Sequence, residues 1–230
     1  MRHEAALRMA EVTTTYLLKR FGIDAVPRQQ PIEVPNFGRD DLAALFSELG
    51  FKRGAEVGVM EGLYSEVLCG ANPGLHLFSV DPWTRRKEYT DIRAPQESFD
   101  EWEASARQRL SKYDGTILKM KSVDGAATIA DRSLDFVYLD GDHAFASVVA
   151  DLHAWTPKVR VGGIMAGHDF AKINHPGRRR YQGAPGTRVV PAVMGWAEAY
   201  AIRPWFVLGS KAMGNALVRD RSRSWAWVVA

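Results

Sequence analysis

Apolar positions along the chain follow two periods. From Glu4 to Phe21 they recur at helical spacing (Leu7, Val12, Tyr16, Leu17, Phe21) without Pro or Gly, which predicts a helix ending at Gly22. Pro27, Pro31 and Pro35 mark an irregular linker, and a short helix is expected from Arg39 to Leu49. Beyond it, short apolar runs alternate with helical patterns. One run leads into Gly58, and others cover Leu75–Val80, Gly115–Met120, Leu134–Leu139 and Ile164–Ala166. Helices are expected at about Leu63–Leu68, Glu97–Lys112, Ala146–Val159 and Val189–Tyr200. Leu134–Leu139 is almost continuously apolar, as a central parallel strand covered on both faces must be. Three closely spaced β-rich runs (Pro204–Leu208, Asn215–Val218, Ser224–Val228) predict antiparallel strands closing the sheet. The alternation as a whole predicts a doubly wound α/β sheet, mostly parallel, preceded by a helical extension.

The strand ends hold the candidate chemistry, because ligands of open α/β sheets gather at the carboxyl ends of the strands. The first strand runs into Gly58-Val59-Met60-Glu61-Gly62, a turn whose glycines admit a ligand close to the backbone. Glu56 reads as an acidic residue of this turn, where it would repel a pyrophosphate and attract a cation. The glycine spacing also departs from the G-x-G-x-x-G dinucleotide pattern, so a cationic ligand carrying no phosphate fits better. Asp81 ends the second run about 20 residues on, the place of a ribose acceptor in such sheets. Trp83 adjoins it, either flanking a ligand or packed under a loop. Asp140-Gly141-Asp142-His143 ends the fourth run and Gly167-His168-Asp169 the fifth. Asp140, His168 and Asp169 are therefore candidates for a divalent cation, Mg²⁺ or Mn²⁺. Without a metal, His143 or His168 is the candidate general base, and both clusters are also compatible with plain turn chemistry.

Composition narrows the picture little. The 230 residues suit one α/β domain, and a formal charge of +3 is weak support for an acidic partner. The single cysteine, Cys69, excludes a disulfide within the chain, and its place after Val67-Leu68 reads as a buried thiol. No stretch is apolar enough for a membrane span, and the start of the chain lacks the pattern of a signal peptide, so a cytoplasmic protein is expected.

Glu56-x-Gly58, Asp81, the run Asp135–His143 and Gly162–Asp169 together resemble a class I S-adenosylmethionine-dependent methyltransferase, most closely the small bacterial sugar and natural-product O-methyltransferases. The resemblance covers about residues 40–170. It implies a Rossmann-like sheet of seven strands, one of them antiparallel, with residues 1–38 as a lid or oligomer contact and 39–230 as the catalytic domain. It implies that Glu56, Gly58, Gly62 and Ser65 hold the methionine side of the cofactor, and that Asp81 takes the ribose. Trp83, Ser122, Val123 and Asp140 complete the cofactor set. The implied reaction is methyl transfer to a hydroxyl of a small polyhydroxylated or phenolic acceptor, with Asp140, His143 and His168 catalytic and a homodimer plausible on the appended helix. Two alternatives stay open. Arg178-Arg179-Arg180-Tyr181, in an expected loop over residues 171–188, suits an RNA substrate. A non-catalytic cofactor-binding module is the other.

Overall fold

The computed structural model describes residues 2–86, 92, 94–170, 188–209 and 223–230. Among the described residues the sheet has eight strands in the order β1-β7-β8-β6-β5-β2-β3-β4, where β1 is Ile32–Val34, β2 Arg53–Val57, β3 His76–Val80, β4 Gly115–Leu118, β5 Leu134–Leu139, β6 Val159–Gly167, β7 Trp205–Leu208 and β8 Ser224–Val228. Strands β4, β3, β2, β5 and β6 run parallel, and β8 is antiparallel to both β6 and β7. The chain leaves β2 toward β3 and β4 on one side and returns through β5 and β6 on the other. The topological switch point thus lies between β2 and β5, which fixes where a ligand crevice opens.

Among the described residues, seven α-helices cover the two faces: α1 Arg2–Arg20, α2 Arg39–Glu48, α3 Leu63–Ala71, α4 Gln96–Leu110, α5 Ser122–Ala127, α6 Phe145–Trp155 and α7 Val189–Ala199. Strand alternation divides the core between the two layers. On β5, Phe136 and Tyr138 pack with Leu17, Leu42, Phe46 and Leu68 from α1, α2 and α3. Val137 and Leu139 face the other way, among Val148, Leu152, Trp155 and Val193 of α6 and α7.

Two expectations need correction. Ile32–Val34, inside the expected linker, forms an eighth strand beside β7, paired Ile32 to Phe206 and Val34 to Leu208. Three residues carry too little period to be read as a strand; the exposed edge of β7 decides it. The double glycine Gly162-Gly163 lies inside β6, which is nine residues long, instead of preceding it. There the register against β5 shifts, Gly162 takes φ +77°, and a Cβ on Gly163 would stand 2.4 Å from the carbonyl oxygen of Asp135. The bulge lets the α1 backbone come close, since a Cβ on Gly162 would meet Met9 at 3.0 Å. Thr13 donates to the Gly162 carbonyl across that contact, at 2.8 Å. The expected strand at Asn215–Val218 lies outside the described residues.

Candidate functional site

The glycine turn is built by its neighbours. Gly58 has φ +87°, and a Cβ there would fall 2.1 Å from the carbonyl oxygen of Asp140, so the turn lies against the end of β5 at a distance that only glycine permits. Asp81, just past β3, closes the turn from the other side. Its carboxylate accepts the backbone N–H groups of Val59 and Met60, both at 3.0 Å, and that of Trp83 at 2.8 Å. Burial raises the Asp81 pKa above the usual carboxylate range, against the pull of these three donors. Trp83 is fully buried among Val59, Phe99 and Ala106, and its indole N–H donates to the Met60 carbonyl at 2.8 Å. Its ring braces the turn from beneath.

Glu56 stands within β2, one residue before the strand ends, and not in the turn itself. It is 1% exposed, the Ser65 hydroxyl of α3 donates to it, and Ser65 lies 3.2 Å from the Ser79 hydroxyl. Burial pushes the Glu56 carboxyl up to about 8. Near neutral pH it is largely protonated, and an approaching cation favours its ionisation. Farther along the crevice Ser122 opens α5. Its hydroxyl accepts the Trp155 indole N–H at 2.8 Å and bonds the buried carboxyl of Asp151, so it is already engaged on two sides. Val123 beside it is exposed.

At the ends of β5 and β6 four titratable side chains meet. One ligand atom each from Asp140, His143 and Asp169 falls within 4.8 Å of the others. His143 Nε2 is 2.8 Å from Asp169 and 3.8 Å from Asp140. His168 Nδ1 stands 3.5 Å from Asp140 and 3.7 Å from Asp169, while its Nε2 is buried with no hydrogen-bond partner among the described residues. Burial works against an imidazolium at His168, yet the hydrogen bond and charge of Asp140, with Asp169, outweigh it and raise the pKa. The metal-sized trio thus contains His143 where the sequence pointed to His168. His143 follows the Asp140-Gly141-Asp142 turn, in which Asp142 accepts the Ala144 N–H and the Ser147 hydroxyl, both at 3.0 Å, and its imidazole lies 2.8 Å from Asp169. One imidazole and two carboxylates form a donor set that suits Mn²⁺ or a similar ion better than Mg²⁺.

The family described as a methyltransferase domain matches residues 55–170, just over half of the chain, from the middle of β2 through the end of β6. The chain belongs to that methyltransferase family. No curated protein matches this methyltransferase in sequence. Among the solved structures that share its fold are two O-methyltransferases. The O-methyltransferase TomG from Streptomyces achromogenes, involved in tomaymycin synthesis and bound to S-adenosylmethionine, is 15% identical, with a TM-score of 0.56 over 99% of this chain and 90% of its own. The O-methyltransferase from Bacillus cereus, in complex with S-adenosylhomocysteine, is 14% identical, with a TM-score of 0.52 over 98% and 90%.

Glu56, Gly58, Gly62, Ser65 and Asp81 of the methyltransferase converge on one turn, and Asp140, His143, His168 and Asp169 on the adjoining strand ends. Ser122 and Val123 lie at the start of α5, which follows β4 at the end of the sheet. Cys69 is buried, with its thiol pushed up to about 12, and is no nucleophile near neutral pH. Residues 171–187, with the Arg178–Arg180 cluster, lie outside the described residues. Sequence reasoning missed two charged groups. Arg39, at the start of α2, reaches Asp140 Oδ2 at 3.9 Å, and nothing in its local pattern announces this. Asp151 occupies a buried position of α6 beside Leu152 and Trp155; its signal was an acidic residue on the apolar face of an expected helix.

Proposed function

We propose that this methyltransferase transfers the methyl group of S-adenosylmethionine to a hydroxyl oxygen of a small polyhydroxylated or phenolic acceptor, assisted by a divalent metal. The observation that carries the reading is the meeting of Asp140, His143 and Asp169 beside the glycine turn, at the switch point of the sheet. The cofactors in the TomG and Bacillus cereus structures, which share the fold, support the choice of donor.

In this reading the Gly58–Gly62 turn admits the methionine portion against bare backbone, with Glu56 behind it as a buried carboxyl that the cofactor's cationic groups would ionise. Asp81 offers the ribose a carboxylate already held in place by three backbone donors. Asp140, His143 and Asp169 would hold the metal, which supplies a Lewis acid that lowers the pKa of an acceptor hydroxyl. His168, bonded to Asp140, fixes the orientation of that carboxylate. The acceptor oxygen attacks the methyl carbon in line with the breaking carbon–sulfur bond, its proton is lost to solvent or to a site base, and S-adenosylhomocysteine leaves as a neutral thioether. Most of the rate gain comes from holding the two reactants in line.

The test is calorimetric titration of S-adenosylmethionine and S-adenosylhomocysteine, with NAD as control, into wild type, Asp81→Ala and Asp140→Asn, followed by methyl transfer to a panel of catechols and sugars with Mn²⁺ or chelator. Wild type is expected to bind both sulfur ligands and not NAD. Asp81→Ala should weaken binding at least ~10-fold, the loss of a charged hydrogen-bonding group. Asp140→Asn should bind normally and transfer nothing. Equal loss of cofactor affinity in the two variants would overturn this division of roles.

A further inference from the structure

Asp151 is a buried carboxyl to which methyl transfer gives no task. It lies on α6 at 7% exposure, among the apolar Val148, Leu152 and Trp155. Such a group costs stability unless it is bonded, so its surroundings show what it holds. Its Oδ2 is 3.9 Å from where a Cβ on Gly141 would stand, behind the Asp140-Gly141-Asp142 turn at the end of β5. It is bonded to the hydroxyl of Ser122, the first residue of α5. The charge of Arg86 is felt at both Asp151 and Asp81, so the two carboxyls border one region.

The bonds around Ser122 fix the direction of its hydroxyl. A serine hydroxyl has one proton to donate and two lone pairs. The Trp155 indole N–H can only donate, and it occupies one lone pair at 2.8 Å. An ionised Asp151 can only accept, and it takes the proton. A lone pair is left, on a side chain that is only partly buried. Ser122 thus offers an incoming ligand an acceptor and no donor.

Sheet order indicates which part of the cofactor arrives there. In S-adenosylmethionine the ribose stands between the methionine arm and the adenine. With the methionine at the Gly58 turn after β2 and the ribose at Asp81 after β3, the base extends toward the next strand, β4, and the helix α5 that follows it. Asp81 donates its backbone N–H to the carbonyl of Leu118, the last residue of β4, at 3.2 Å. A Cβ on Gly125 of α5 would come 2.7 Å from Val80 at the end of β3, so α5 packs against the strand that leads to Asp81. The exocyclic amine of adenine is a donor that matches the remaining lone pair. We propose that Asp151 is a positioning residue for base selection: by holding the Ser122 proton, it makes Ser122 an acceptor for the amino group of adenine. The proposal rests on the S-adenosylmethionine reading.

The test titrates the full chain with S-adenosylhomocysteine and with S-inosylhomocysteine, whose base has a carbonyl where adenine has the amine. The titrations are run at about pH 8.5, above the value of about 7 to which burial pushes Asp151. Wild type is expected to favour the adenine ligand by roughly 10-fold or more, because its acceptor would face the carbonyl of the other. Asp151→Leu fills the buried position without an acceptor. It should bind the adenine ligand roughly 10-fold more weakly and the inosine ligand as well as wild type or better, since the Ser122 proton then turns to the carbonyl. Asp151→Asn keeps a carbonyl for the hydroxyl and should retain most of the preference, whereas Ser122→Ala should lose it. General damage to the fold weakens both ligands together, so the ratio of affinities is the readout, and Asp151→Ala replaces the leucine variant if that chain does not fold. A wild-type ratio near one, or a ratio unchanged in the apolar Asp151 variant or in Ser122→Ala, overturns the proposal and leaves the cofactor reading intact. A wild-type protein silent toward S-adenosylhomocysteine overturns the cofactor reading and this proposal with it.

Discussion

Among the described residues two carboxyl groups are buried on opposite faces of the sheet, Glu56 under α3 and Asp151 on α6. Each is kept by a serine hydroxyl, Ser65 for the first and Ser122 for the second, which satisfies one oxygen without supplying a charge. Burial is the main reason that Asp151 is pushed up to about 7, with the nearby charge of Asp142 adding to it. A carboxyl with a raised folded-state pKa stabilises the fold fully below its unfolded value, and that stability is lost as pH rises through the folded value. Asp151→Asn, neutral at every pH, should therefore be less pH-sensitive than wild type. Relative to the variant, wild type should lose about 1.4 kcal/mol of stability for each pH unit between about pH 4 and pH 7. Urea unfolding of both proteins at several pH values measures this; a constant difference would mean that Asp151 is ionised in the folded state.

At the scale of elements, the N-terminal helix is tied to the strand that delivers half of the candidate site. Helix α1 lies on the bulge of β6, where Thr13 bonds Gly162, and β6 ends directly before His168 and Asp169. Leu17 of the same helix is 1% exposed in the core layer that contains Phe136 and Tyr138. Leu17→Ala is expected to destabilise by about 2–5 kcal/mol through the lost burial and the cavity left behind. Thr13→Val, which keeps the shape and removes the donor, should lose about 1 kcal/mol. Guanidinium unfolding of the two variants separates the contributions. A loss well under 1 kcal/mol for Leu17→Ala would show that α1 does not belong to the cooperative fold.

For the whole molecule, the proposed metal site ties ligation to global stability, because an ion that binds only the folded chain raises its melting point. Mn²⁺ at about 100 times its dissociation constant should add ~2.7 kcal/mol, or roughly 5–10 °C in a chain of this length. Asp140→Asn should remove the shift, and an equal shift in the variant would place the ion elsewhere. Much of the architecture follows from sequence alone. Apolar runs of strand length alternating with helical periods fix a mostly parallel α/β sheet, and the positions of Gly58, Asp81, Asp140 and Asp169 at strand ends are legible from the same runs. The pairing of short segments is not legible in this way. Ile32–Val34 becomes a strand only because β7 offers it an edge, and Gly162-Gly163 becomes a bulge only because α1 crosses there. The exchange of His143 for His168 in the metal-sized trio, and the arrival of Arg39 beside Asp140, depend on side chains from separate elements meeting in space. Local sequence sets periodicity and turn chemistry within a few residues, whereas contacts across many residues are decided by how the layers pack.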